Sequence, residues 1–242
     1  MIVNRYRYIE QLSRSKNNGL IKIITGLRRS GKSFLLKKLF HQHLLDEGVR
    51  EDHILVIDME SRKNREFKNP DYLLDWVEKM MIDYETYYII IDEVQEVEDF
   101  VEVLSSLSVT EGADVYVTGS NSRFLSSDLV TEFRGRGDEI HVWPLSFKEF
   151  MTVYDGSKED GWAEYRLYGG LPQLLTQVGD EKKADFLRRL YRTVYLRDIY
   201  ERNNIELRPE FEELSRRSIQ YRSTCQCTEY SQYVQVRKQC AE

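Results

Sequence analysis

Near the start of the chain, Gly26-Leu27-Arg28-Arg29-Ser30-Gly31-Lys32-Ser33 combines two glycines, a lysine and a hydroxyl at the spacing G-x-x-x-x-G-K-[ST]. This set suits the holding of a polyphosphate. Glycines let a loop curl until its backbone N–H groups converge on phosphate oxygens. A helix starting directly after the loop adds its positive end. Lys32 is then expected to reach the β- and γ-phosphates, and the Ser33 hydroxyl to coordinate Mg²⁺. Phe34, the next residue, is grouped with the loop as nucleotide-binding. The expected ligands are ATP and Mg²⁺.

A second chemical element is Ile89-Ile90-Ile91-Asp92-Glu93. An apolar strand ending in Asp brings a carboxylate to the edge of a sheet where metal-bound phosphates sit. Asp92 can hold Mg²⁺ through the ion's water shell, since hard cations prefer oxygen ligands, and Glu93 can polarise an attacking water as general base. Val117-Thr118-Gly119-Ser120-Asn121-Ser122 ends another strand. There Asn121 or Ser120 could orient the water between the acids and the γ-phosphate, although these residue types also make plain turns. Phe133-Arg134-Gly135-Arg136-Gly137 sets arginines on a glycine-flanked loop. Arg134 or Arg136 could reach a neighbouring subunit's phosphate site as an arginine finger, which implies a homo-oligomer. A solvated basic turn is the plainer reading.

The elements that must position these residues follow from apolar periodicity. Tyr6, Ile9 and Leu12 predict a short opening helix. Short β-branched runs predict strands at Leu20–Thr25, Ile54–Ile57, Tyr87–Ile91, Val115–Thr118 and Glu139–Val142. Between them, helices are predicted after the glycine loop as far as Gly48, over Tyr72–Met81, and over Phe100–Leu107. The alternation predicts an α/β fold with a parallel sheet wrapped by helices on both faces. After Pro144 only helical segments follow, at 146–154, 160–168, 181–203 and 208–219. The expected organisation is a nucleotide-binding domain over 1–144, a small helical domain over 145–214, and a tail over 215–242. Tyr168-Gly169-Gly170-Leu171-Pro172 predicts a turn that could place the helical part over the nucleotide. His41 and His43, two apart on a helix, fall on different faces and read as surface or packing residues.

Composition excludes several classes. No apolar run reaches the length of about 18 residues that a membrane span needs, and residues 1–8 lack a signal-peptide core, so a cytoplasmic protein without membrane contact is expected. The formal net charge of −6 argues against a globally basic nucleic-acid binder. Cys225, Cys227 and Cys240 form neither a disulfide framework nor a zinc site at that number and spacing. From Ser215 onward the chain has no Leu, Gly, Pro or Phe. That segment reads either as a disordered polar tail or as non-native sequence such as a frameshift product.

Taken together, Thr25–Ser33, Ile91-Asp92-Glu93-Val94-Gln95, Thr118–Ser122, Gly135-Arg136, Pro144-Leu145-Ser146-Phe147 with Glu149, and Tyr168–Pro172 resemble the uncharacterised prokaryotic ATPases of the AAA+ superfamily, in which an AAA domain precedes a helical lid. The resemblance spans roughly residues 1–212. It implies that the strand carrying Ser120-Asn121 lies between the phosphate-loop strand and the Asp92 strand. It also implies that Glu93 is the catalytic glutamate, Asn121 or Ser120 the polar sensor, and Arg134 or Arg136 the finger. Family members usually continue into a winged helix and often a nuclease-like region, and this chain stops short of both. The expected function is Mg-dependent ATP hydrolysis driving a conformational change on an unknown protein or nucleic-acid partner. The competing reading is a nucleotide-gated binding switch with slow or no turnover. A helicase ranks lower because no second RecA-like domain fits after residue 150, and a small-molecule kinase lower still because no acceptor-binding signature is evident.

Overall fold

The computed structural model describes residues 2–119 and 137–192. Five strands, β1 (Ile21–Thr25), β2 (Ile54–Asp58), β3 (Tyr87–Asp92), β4 (Ala113–Thr118) and β5 (Gly137–His141), form one sheet in the order β2-β3-β4-β1-β5. Every pairing is parallel. The strand leading to Ser120 thus lies between the phosphate-loop strand and the Asp92 strand, as the resemblance implied.

The strands read as continuous apolar runs because both faces are covered. Side chains alternate between them. Tyr87, Ile89, Ile91, Val115 and Val117 enter one core, under α4 (Pro70–Met80) and α5 (Phe100–Ser108). Tyr88, Ile90 and Tyr116 enter the other, under α1 (Tyr6–Arg14) and the long helix that follows the glycine loop. That helix has three parts: α2 (Lys32–Phe34), a π-helical segment over Leu35–Phe40, and α3 (His41–Asp46). The π segment was not anticipated. It presents Leu35, Leu36 and Phe40 to the core, and such widenings recur at functional sites. The helix ends where Gly48 adopts a positive φ and the Gly48 and Val49 amides bond back to Leu45 and Leu44, a C-terminal cap that only a glycine takes without strain.

Two boundaries moved for local reasons. Helix α4 starts at Pro70, ahead of its apolar stripe, because the Asn69 side chain accepts from the Tyr72 amide and Pro70 needs no partner at the first helical position. Strand β5 begins at Gly137 rather than Glu139 because pairing with β1 runs from Ile21 opposite Gly137. Val142 lies beyond the strand, yet its amide still bonds to the Thr25 carbonyl.

After β5 come α6 (Phe147–Met151), α7 (Lys158–Tyr168) and α8 (Asp180–Leu190). A capping box formed by Ser146 and Glu149 starts α6, and Ser157 caps α7. The predicted turn at Gly169-Gly170 is a close crossing of chain on chain: a Cβ on Gly170 would lie 2.0 Å from the Leu145 carbonyl oxygen. There the Leu145 amide donates to the Gly170 carbonyl at 2.7 Å, and Tyr165 donates to the Leu145 carbonyl. Among the described residues no helix is long and apolar enough to cross a membrane. Residues 193–242, with the three cysteines and the tail, lie outside the described residues.

Candidate functional site

The glycine loop leaves the carboxyl end of β1, and Asp92 and Glu93 leave the carboxyl end of β3, the edge at which open parallel sheets bind ligands. Gly26 has a φ of 136°, and a Cβ there would meet the Val142 carbonyl oxygen at 2.2 Å. The loop can turn against β5 only without a side chain at that position. Ser30 is fully buried, and its Oγ has no hydrogen-bond partner among the described residues, an arrangement that favours a ligand oxygen nearby. Arg29 adopts a left-handed conformation within the loop.

Lys32 curls back over the loop, its Nζ donating to the carbonyls of Gly26 at 3.0 Å and Leu27 at 3.1 Å. Burial pushes this ammonium below its ordinary value, while Glu93 and Asp92 pull it back up and Arg28 adds to the lowering. The lysine therefore shares a field with both acids.

Asp92 is almost fully buried, and its two oxygens are treated differently. Oδ1 accepts from the Thr118 hydroxyl at 2.6 Å, and the same Thr118 oxygen accepts from the Glu93 amide at 2.9 Å. Oδ2 faces the Lys37 ammonium at 2.6 Å. Lys37 also pairs with Asp58 at 2.7 Å, the residue opposite Asp92 in the β2–β3 register. Desolvation works against the Lys37 ammonium, but the carboxylates of Asp58 and Asp92 more than offset it and hold the group above its ordinary value. Glu60, at the surface beside them, has its carboxyl pushed up by partial desolvation and then by the charges of Glu93, Asp92 and Asp58.

Glu93 has a φ of 58°, in the left-handed region that a glutamate rarely visits. The Thr118 bond to its amide and a 2.5 Å bond from Gln95 Nε2 to its Oε2 hold it there.

The donors present fit magnesium. The Ser33 hydroxyl and Asp92 Oδ2 are the hard oxygen atoms such an ion takes, and Asp92 Oδ2 already has a cation, the Lys37 ammonium, against it.

Three contributors are not singled out by the sequence motifs. Two are Thr118, whose hydroxyl role no motif marks, and Lys37, which lies beyond the phosphate-loop pattern. The third is Arg5, which is buried. Its Nη1 donates to the Ser30 carbonyl and Nη2 to the Trp143 carbonyl at 2.7 Å, while Nε forms an ion pair with Glu149 at 2.9 Å. A single guanidinium thus ties the phosphate loop to the exit from β5 and to α6. The structure brings Gly26–Ser33, Asp92 and Glu93 to one sheet edge; Phe34 is exposed on the helix. Ser120, Asn121, Arg134 and Arg136 lie outside the described residues. Elsewhere, His53, Asp83 and Glu85 bring possible metal-ligating atoms together, but Arg50 pairs with Asp83 at 2.6 Å and lies against His53. A guanidinium thus supplies the positive charge there. His41 pairs with Glu51 and His43 bonds Ser13, consistent with surface and packing roles.

Among known proteins, a family model described as AAA domain matches residues 18–151. An uncharacterised protein of Haemophilus influenzae is 34% identical over 212 residues, covering 85% of this chain and 52% of that protein. An uncharacterised protein of Methanocaldococcus jannaschii is 26% identical over 202 residues, covering 76% of this chain and 43% of that protein. The chain spans about half the length of the curated relatives it matches. Of the solved structures, AMPPCP-bound DnaA from Aquifex aeolicus is 15% identical with a TM-score of 0.45, over 81% of this chain and 66% of that one. The Aeropyrum pernix ORC1 protein in complex with DNA is 15% identical with a TM-score of 0.47, over 90% and 66%. The family match takes in the glycine loop, the Asp92–Glu93 strand and the whole described sheet, and the chain belongs to the AAA domain family of nucleotide-binding, ATPase-type proteins.

Proposed function

We propose that this chain binds ATP with Mg²⁺ in the loop Gly26–Ser33 and hydrolyses it, and that the cycle drives a conformational change on a protein or nucleic-acid partner. The observation that carries this reading is the shared field of Lys32, Asp92 and Glu93, with Asp92 and Glu93 both fixed by the one Thr118 hydroxyl. Lys32 releases the Gly26 and Leu27 carbonyls and sets its charge against the β- and γ-phosphates. Ser33 and Asp92 hold the magnesium, which supplies neutralisation of the phosphate charge. Glu93 accepts a proton from the attacking water at a carboxylate oxygen, and Asn121 or Ser120 orients that water. Arg134 or Arg136 completes the site of a neighbouring subunit. Residues 1–144 form the ATPase domain, and 145–214 a helical lid that Arg5 links to the phosphate loop.

One observation favours a second reading, a nucleotide-gated switch with little turnover. Gln95 donates to one oxygen of the Glu93 carboxylate; in this reading the base stays engaged there and turnover is slow until a partner draws Gln95 away. Phosphate release and calorimetric ATP binding by wild type and Glu93→Gln separate the two. Hydrolysis predicts that both bind Mg·ATP and only wild type releases phosphate. Equal release from both leaves the switch, and no binding by the folded wild type refutes both. A steep rise of specific turnover with protein concentration supports the finger; a flat line removes it.

A further inference from the structure

Among the lysines of the helix that follows the glycine loop, Lys37 is set apart by its position. Its Nζ stands 2.7 Å from Asp58 Oδ2 and 2.6 Å from Asp92 Oδ2, bridging the carboxyl ends of two adjacent strands. Asp92 Oδ1 already accepts from Thr118, so Oδ2, against which Lys37 stands, is the oxygen less committed within the protein and the one better placed to serve a metal ion. An ammonium at that distance and a divalent cation drawn to the same oxygen, directly or through a bound water, repel each other strongly.

We propose that Lys37 is a positioning residue for the Mg²⁺ site: it serves as the counter-cation of Asp92 and withdraws onto Asp58 when the divalent ion engages, and so sets the Mg²⁺ concentration that the site requires. The proposal rests on the reading of the loop as an Mg·ATP site. The two aspartates differ in the way this handover needs. Asp92 is 1% exposed and Asp58 is 36% exposed. A bare carboxylate at Asp92 is costly because water cannot reach it, so some cation must always be present. An ammonium drawn toward Asp58 keeps a carboxylate partner and gains water. The lysine stem is flexible and its three donors turn freely, so the movement needs no backbone change. Glu60 stands beside the same acids and adds to the negative field toward which Lys37 can retreat. A purely structural salt bridge would also tie β2 to β3 through the helix, but it would leave the metal requirement untouched.

The test is a Mg²⁺ titration of fluorescent-ATP binding by anisotropy, at fixed nucleotide, with melting curves in MgCl₂ alone. Lys37→Met removes a unit charge beside Asp92 and should lower the Mg²⁺ midpoint by about tenfold or more, on the order expected for one charge at contact distance under partial screening. It should also make the melting temperature rise with Mg²⁺ in the absence of nucleotide, which wild type does less. Lys37→Arg keeps the charge and should stay within about threefold of wild type. Asp58→Asn removes the retreat and should raise the midpoint. An unmoved or raised midpoint in a folded Lys37→Met overturns the proposal, as does an unmoved midpoint in Asp58→Asn, which decides the matter if Lys37→Met does not fold. Wild type that ignores Mg·ATP refutes the site reading itself, whereas wild type that binds while the variants keep its midpoint refutes only the role of Lys37.

Discussion

Replacing Thr118 with valine isolates the hydroxyl that connects the two acids. The side chain is fully buried at the end of β4, and valine has nearly its shape, so packing is conserved and only polar contacts are lost. Asp92 Oδ1 loses its 2.6 Å donor and the Glu93 amide loses its 2.9 Å acceptor. An orphaned buried group costs about 1–3 kcal/mol. Lys37 still neutralises the other Asp92 oxygen, so a total of about 2–4 kcal/mol is expected. In a domain of this size that lowers Tm by roughly 5–15 °C. The Glu93 amide also anchors a left-handed residue, so the carboxylate should shift, and a displacement of about 1 Å can cost on the order of 100-fold in turnover. Denaturant titration, melting curves and phosphate release measure these effects. Thr118→Ser keeps both bonds and should lose only about 1 kcal/mol for the missing methyl group. A valine variant as stable and as active as wild type would refute the bridge.

The buried pair of Lys22 and Asp114 predicts an asymmetric cycle. Both side chains are nearly inaccessible, and Asp114 Oδ2 also accepts from the Tyr116 hydroxyl and the Asn17 amide. Asp114→Leu should destabilise by about 3–5 kcal/mol by leaving a bare ammonium, while adding Lys22→Met should recover part of that and not all, because Tyr116 and Asn17 remain without an acceptor; urea denaturation measures both. Lys32 predicts a pH dependence. Its ammonium lies below the ordinary lysine value in the free protein, and phosphates require it charged, so ATP affinity should fall as pH rises, beginning below the usual lysine range. For the free protein the sign is opposite: the unfolded chain binds more protons through that window, so the Lys32 contribution to stability rises with pH. Calorimetric titrations across the alkaline range check the first, and denaturation at matched pH the second.

Periodicity and turn chemistry made the scaffold legible. Ile89-Ile90-Ile91 and Ile23-Ile24 could be recognised as strands because parallel sheets covered on both faces carry such runs. The glycine spacing and the Asp-Glu step marked the site, since phosphate loops constrain neighbours in sequence. What stayed hidden depends on contacts between distant segments. Nothing local distinguishes Lys37 from Lys38; only the phase of the helix sends the first to Asp58 and Asp92. Lys22 interrupts an apolar run with a charge whose partner is 92 positions away. Thr118 becomes a bridge only because β3 and β4 are adjacent. Nothing in Asn4-Arg5-Tyr6-Arg7 marks Arg5 off from Arg7, and its burial follows from three carbonyl and carboxylate partners supplied by two other parts of the chain.

The crossing of Leu145 and Gly170 has an architectural consequence. The polypeptide leaves the sheet, builds two helices and returns to within one hydrogen bond of its point of departure. Such a closed excursion can lengthen, shorten or be exchanged between relatives while the segments on either side keep their places, because its two ends are already clasped and the entropy of closing a loop grows only slowly with its length. Diversity in this family should therefore accumulate inside that detour, and a graft that keeps the clasp should leave the sheet intact.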